Sequence, residues 1–170
     1  MKHILFLIFI LLPILSFSQD TTYIKLDTSS LFINHALTEV VLDNFVTDAC
    51  KYGLDSLEVT NHIKSLDGIY IDRLDSSKFG VTVYIMDTLS PTGMRGIILI
   101  DKSLINNYSI FQITIYHELG HWFGLKHNRR GIMLENSDNV YKTLDKWERN
   151  VGRLMKEIKK GNYSYPSDIK

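Results

Sequence analysis

The sequence predicts an α+β fold. Apolar residues recur at helical spacing in "HALTEVVLDNFVTDACKYGL", where Leu37, Val40, Val41, Phe45, Ala49 and Tyr52 share a face. Two later stretches read as strands. Phe79, Val81, Val83 and Ile85 alternate in "KFGVTVYIMD", and "RGIILIDKSLI" holds a continuous apolar run bounded by Gly96 and Asp101. Helical periodicity then returns twice toward the C-terminus. An order of helix, strands, helix, loop, helix indicates α+β.

Each element has its own warrant. The first helix is expected from about 36 to 52, with Gly53 as its stop. Cys50 lies inside it and reads as a small core residue; a single cysteine excludes an internal disulfide. "DTLSPTG" is turn-rich and separates the two strands. Ser109 with Gln112 three residues on reads as a capping box, opening a helix over about 110–123. In "TLDKWERNVGRLMKEIKKG", Leu144, Trp147, Val151, Leu154, Met155 and Ile158 share one face, and Gly161 can end that last helix.

The chain has 170 residues, 19 cations and 19 carboxylates. Its length suits one domain, and zero net charge without a basic stripe gives no reason to expect nucleic acid or an anionic membrane surface as partner. Residues 1–18 have the layout of a secretory signal: Lys2 and His3, an apolar run from Ile4 to Phe17, and small Ser16 and Ser18 before a cut at Gln19. That run is shorter than the roughly 20 residues of a membrane span and contains Pro13. The expectation is an exported chain, secreted or periplasmic, whose single domain is 19–170 and which keeps no stable membrane anchor after cleavage.

The chemistry concentrates in "HELGHWFGLKH", His117 to His127. On a helix, His117 and His121 lie one turn apart on one face and can reach one metal ion. Glu118 lies about 100° round from His117, beside the ion rather than on it. A zinc ion lowers the acidity constant of a bound water toward neutrality, and a free carboxylate nearby can take its proton and later hand it to a leaving amine. Zinc held by two histidines wants a third protein ligand and an open position. Gly124 tolerates the positive φ that ends a helix, so the chain can turn and bring His127 back. The five fixed residues would coincide by chance in roughly one in 10⁵ such chains.

"HELGHWFGLKH" followed by "GIM" resembles the metzincin clan of zinc endopeptidases, with wording most similar to its matrixin-like branch. The pattern H-E-x-x-H-x-x-G-x-x-H plus a Met-turn is met at His117, Glu118, His121, Gly124, His127 and Met133. The resemblance implies a twisted, mostly parallel sheet with a long first helix, an active-site helix and a C-terminal helix. It implies one catalytic zinc on His117, His121 and His127, Glu118 as general base, and Met133 as an apolar floor under the site rather than a ligand. It further implies a peptide or protein substrate, a monomer, and "GIILID", Gly96 to Asp101, as the edge strand that pairs with substrate. A buried central strand would suit that apolar run equally. Tyr116, Ile113 and "LENSDNVY", Leu134 to Tyr141, are candidates to line the pocket for the residue after the cut.

The chain departs from the clan's pattern in places. Only five residues separate His127 from Met133, no Pro-Arg-Cys-Gly stretch precedes the domain, and Glu135 stands where some relatives carry a zinc-touching tyrosine. No glycine- and aspartate-rich loop of the kind that holds the matrixins' structural calcium is visible. His35 and His62 read as surface residues, and the cations from Lys156 to Lys160 as a solvated helix face. Asn107 and Asn162 begin N-x-S sequons. Two other readings compete with a metzincin-like peptidase. One is a zinc peptidase whose third ligand is a downstream glutamate, Glu135 or Glu148. The other is a non-catalytic zinc-stabilised binding module, which has no need of Glu118 and would want a fourth ligand.

Overall fold

A computed structural model describes residues 35–74, 78–86, 94–135 and 140–161. The expected signal peptide and part of the Leu134–Tyr141 segment, residues 136–139, lie outside them, as does Asn162. The described residues form an α+β arrangement of five helices and a three-stranded sheet. In chain order these are α1 (His35–Lys51), α2 (Ser56–Lys64), β1 (Gly68–Asp72), β2 (Gly80–Met86), β3 (Met94–Asp101), a 3-10 helix (Lys102–Asn106), α3 (Tyr108–Trp122), α4 (Val140–Leu144) and α5 (Trp147–Gly161). No helix among the described residues is long and apolar enough to cross a membrane.

The sheet order is β1-β3-β2. β1 runs parallel to β3, with Ile71 opposite Ile100, and β2 runs antiparallel to it, with Val81 opposite Leu99. The sheet is therefore mixed rather than mostly parallel. "GIILID" is its central strand, not an edge: Ile98, Leu99 and Ile100 are fully buried because neighbours cover them on both sides. The antiparallel edge is β2, whose residues from Gly80 to Tyr84 are half-buried.

Helix α3 packs on β2 and β3, and α1 packs on α2, α3 and α5. Phe45 of α1 meets Tyr116 of α3 edge to face at 5.0 Å and stacks on Phe123 at 5.8 Å. The Tyr116 hydroxyl donates to Asp48 at 2.8 Å, and its ring lies against Trp147 of α5. Tyr116 is thus fully buried between helices and does not line the cleft. Leu154, Met155 and Ile158 of α5 complete this core.

Several local expectations change. The C-terminal periodic segment is two helices, α4 and α5. The cap of α3 is Asn107, whose side chain accepts from the Ile110 amide at 3.3 Å; Ser109 already lies in the first turn. Asn107, the first sequon, is therefore engaged in capping. Cys50 is exposed, on the side of α1 turned away from Ala49 and Phe45. α2 is unanticipated, since Val59 is its one buried residue. Its start was nonetheless written as Asp55 with Glu58 three residues on, and Asp55 accepts from the Glu58 amide at 2.9 Å.

Candidate metal centre

Helix α3 is buried nearly all round, with His117 and His121 on its less covered face. Spacing of four residues puts these two imidazoles side by side, edge to face with ring centroids 4.7 Å apart. The helix then stops at Phe123. Gly124 takes φ +83°, its amide donates to the His121 carbonyl at 2.8 Å, and the Leu125 amide donates to the Gly120 carbonyl at 2.9 Å. These two bonds are those of a Schellman turn, which needs a residue at positive φ. The turn carries His127 back over the helix. Its Nε2 lies 3.2 Å from His117 Nε2 and 3.0 Å from His121 Nε2, which are themselves 3.1 Å apart.

The opposite ring nitrogens fix what these atoms are. His117 Nδ1 lies 2.7 Å from the Ile132 carbonyl, and His121 Nδ1 lies 2.9 Å from the Leu125 carbonyl. A carbonyl only accepts, so each Nδ1 carries the proton and each Nε2 presents a lone pair. Two lone pairs facing each other at 3.1 Å have no proton to share. Burial pushes the His117 imidazole down to about 4, with His121 and His127 adding to the fall, and burial lowers His121 as well. The lone pairs of His117 and His121, converging on one point with His127 Nε2, fit a cation. Nitrogens about 2.0–2.1 Å from one zinc at near-tetrahedral angles lie about 3.3 Å apart, close to the observed triangle. Among the described residues, these three are the group of histidines, cysteines and carboxylates able to hold a metal ion.

The carboxylates of the competing readings are placed elsewhere. Glu148 pairs with Lys51 of α1 at 2.6 Å, and Glu135 is exposed on the wall of the cleft, outside the histidine group. His62 is not a surface residue: it is half-buried, 4.4 Å from the Phe123 ring and 5.7 Å from Trp122. His35 is the first residue of α1, and its side chain lies outside the described set.

Glu118 faces β2 and lines the same cleft as the three histidines. The Thr82 hydroxyl lies 2.7 Å from Glu118 Oε2 and 3.0 Å from its carbonyl oxygen. Glu118 is 4% exposed, and burial raises its carboxyl to about 7 against the lowering effect of Thr82. The Tyr84 hydroxyl, next but one along β2, donates to the His121 carbonyl. Thr82 and Tyr84 escaped the sequence reading. Their alternation along β2 put them on one face, but nothing in sequence said which helix that face would meet.

Met133 is buried beneath the same turn of α3. A Cβ on Gly120 would fall 2.3 Å from Met133 Sδ, so this close approach requires glycine between the two helical histidines. Ile132, the residue before it, supplies the carbonyl that orients His117. A cleft of about 500 Å³ opens over the triangle, walled by β2 on one side and by Ile132, Leu134, Glu135 and Val140 on the other, with Ile113 of α3 also lining it. No family model, curated protein or solved structure matches the chain.

Proposed function

We propose that the chain is a zinc-dependent endopeptidase of the metzincin type, exported and acting on extended polypeptide. The observation that carries this reading is the pairing of a three-imidazole triangle with a buried carboxylate that is not part of it. A structural zinc site is closed by four protein ligands, whereas a catalytic one keeps a position open. Zinc on His117, His121 and His127 would supply an acidified water and polarise the substrate carbonyl.

The chain's own residues do the rest. Glu118 takes a proton from the attacking water and returns it to the leaving amine, a role suited to a carboxyl held near neutrality in a dry site. Thr82 keeps its Oε2 aimed. The Ile132 and Leu125 carbonyls hold the imidazole tautomers, as outer-shell partners do in metal sites. β2 is the exposed sheet edge beside the cleft, so an extended substrate can add to it through backbone hydrogen bonds. That transfers the pairing role from "GIILID", which is central, to Gly80–Met86.

The test is Glu118→Gln. Zinc content and melting temperature should match wild type, while hydrolysis of a proteome-derived peptide library falls by roughly 10²-fold or more. A variant with full zinc and more than about a tenth of wild-type turnover would refute the role.

A further inference from the structure

A second cavity, about 430 Å³, shares Gly131, Leu134 and Thr143 with the cleft wall. Three segments meet there: the loop after His127 brings Arg129 and Arg130, α4 and its exit bring Lys142 and Lys146, and the first turns of α5 bring Arg149 and Arg153. No carboxylate among the described residues lines it. Among the described residues the ion pairs are Lys51–Glu148 and Arg95–Asp67, both away from this cavity. The whole chain is neutral, yet residues 126–161 hold ten cations against five carboxylates. The six cations are therefore a local concentration, and no ion pair among the described residues joins any of them to an acid. The N-terminal end of the 15-residue α5 adds the positive end of its dipole.

The walls are fixed. Asn150 is buried and donates to the Thr143 carbonyl at 2.9 Å, tying α5 to α4. The Asn128 amide donates to the Met133 carbonyl at 2.8 Å, and its side chain binds Glu157 and caps Arg130, so the arginine-bearing turn is closed at its base. That turn ends at Ile132, which orients His117.

We propose that this basic cavity is a subsite for carboxylate side chains, so that the preferred substrates are polypeptides carrying aspartate or glutamate close to the cut. The proposal rests on the peptidase reading for the word substrate, but not for the anion site itself. Polypeptide is favoured over nucleic acid or membrane because the cavity is concave and adjoins the cleft at Gly131, Leu134 and Thr143, so that a chain lying over the histidines would pass beside it. Charge complementarity of this kind sets specificity and encounter rate.

The test uses the Glu118→Gln chain with zinc added, so that nothing is cleaved. Fluorescein-labelled hexaglutamate and hexaglutamine are compared by anisotropy. Hexaglutamate should bind at least roughly tenfold more tightly, and the preference should shrink at about 0.5 M salt, where the Debye length is about 4 Å. The preference should vanish in Arg149→Gln/Arg153→Gln and persist in Lys156→Gln/Lys159→Gln, which removes exposed cations elsewhere on α5. Melting curves confirm that both variants fold; if the arginine pair does not, Lys142→Gln/Lys146→Gln replaces it. Equal affinity for the two peptides, or a preference lost equally in the control pair, overturns the proposal. Tighter binding of an oligodeoxythymidylate of matched charge overturns the peptide assignment. Loss of hydrolysis by the wild-type chain on every peptide, with the glutamate preference intact, would count against the peptidase reading alone.

Discussion

At the scale of single residues, two side chains bear on the proposed site: Thr82 at the Glu118 carboxylate and Met133 beneath the histidine triangle. Thr82 donates to Glu118 Oε2 at 2.7 Å from the edge strand. A hydrogen bond to a charged group is worth about 1.5–3 kcal/mol. Thr82→Val should therefore lower turnover by roughly tenfold or more with zinc content unchanged, and Thr82→Ser should restore it, read as kcat on one cleaved peptide. Met133 touches no imidazole nitrogen but sits fully buried against Gly120. Met133→Leu roughly conserves volume and should cost under about 1.5 kcal/mol, keeping zinc and turnover. Met133→Asp puts a carboxylate into that apolar contact and should lose both. Equal melting temperatures and zinc contents for the two variants would remove Met133 from the floor of the site.

At the scale of elements, the C-terminal turn of α3 is held from outside by α2. His62 Nε2 lies 3.1 Å from the Trp122 carbonyl, the Trp122 indole donates to the His62 carbonyl at 2.9 Å, and the His62 ring packs against both Trp122 and Phe123. Burial lowers the His62 imidazole below its ordinary value, with the Trp122 carbonyl opposing. The sign follows from proton binding. As pH falls below about 6.5, the unfolded chain takes up a proton at His62 before the folded chain does, so stability is full above that pH and declines below it. His62→Phe keeps the ring stacking and removes this titration. Between about pH 7.5 and about pH 5.5, in the presence of chelator, its melting temperature should fall less than that of wild type. The same drop in both proteins would mean that His62 titrates normally.

For the molecule as a whole, the histidine triangle is a cost that metal binding would reverse. Three imidazole nitrogens converge, and the lone pairs of His117 and His121 Nε2 face each other with no proton between them. A ligand that binds only the folded chain stabilises it by mass action, by about 4 kcal/mol at a thousandfold excess over its dissociation constant. Chelator should thus lower the melting temperature of wild type substantially and that of His121→Ala hardly at all. If the variant responds as wild type does, the stabilising ion lies elsewhere.

Much of this was legible in the sequence because it rests on local rules. Helical spacing put His117 and His121 on one face, and Gly124 marked the elbow because only a residue at ease at positive φ completes that turn. The long first helix was written in the period of its apolar residues, β2 in alternation and β3 in an apolar run, while β1 had neither reading. What the sequence could not state was which elements become neighbours. A continuous apolar run is the same for a central strand and for an edge strand backed by helices, so β3's place between β1 and β2 was decided by pairing. Asp55 and Glu58 signalled α2, but its single buried residue gave no period to read. Thr82 reached Glu118, and six cations from three separate segments came to share one cavity, only when β2, α4 and α5 packed around α3. Spacing along one helix is fixed by the backbone's own geometry, whereas contacts between distant segments depend on burial and pairing, which only the folded chain can choose.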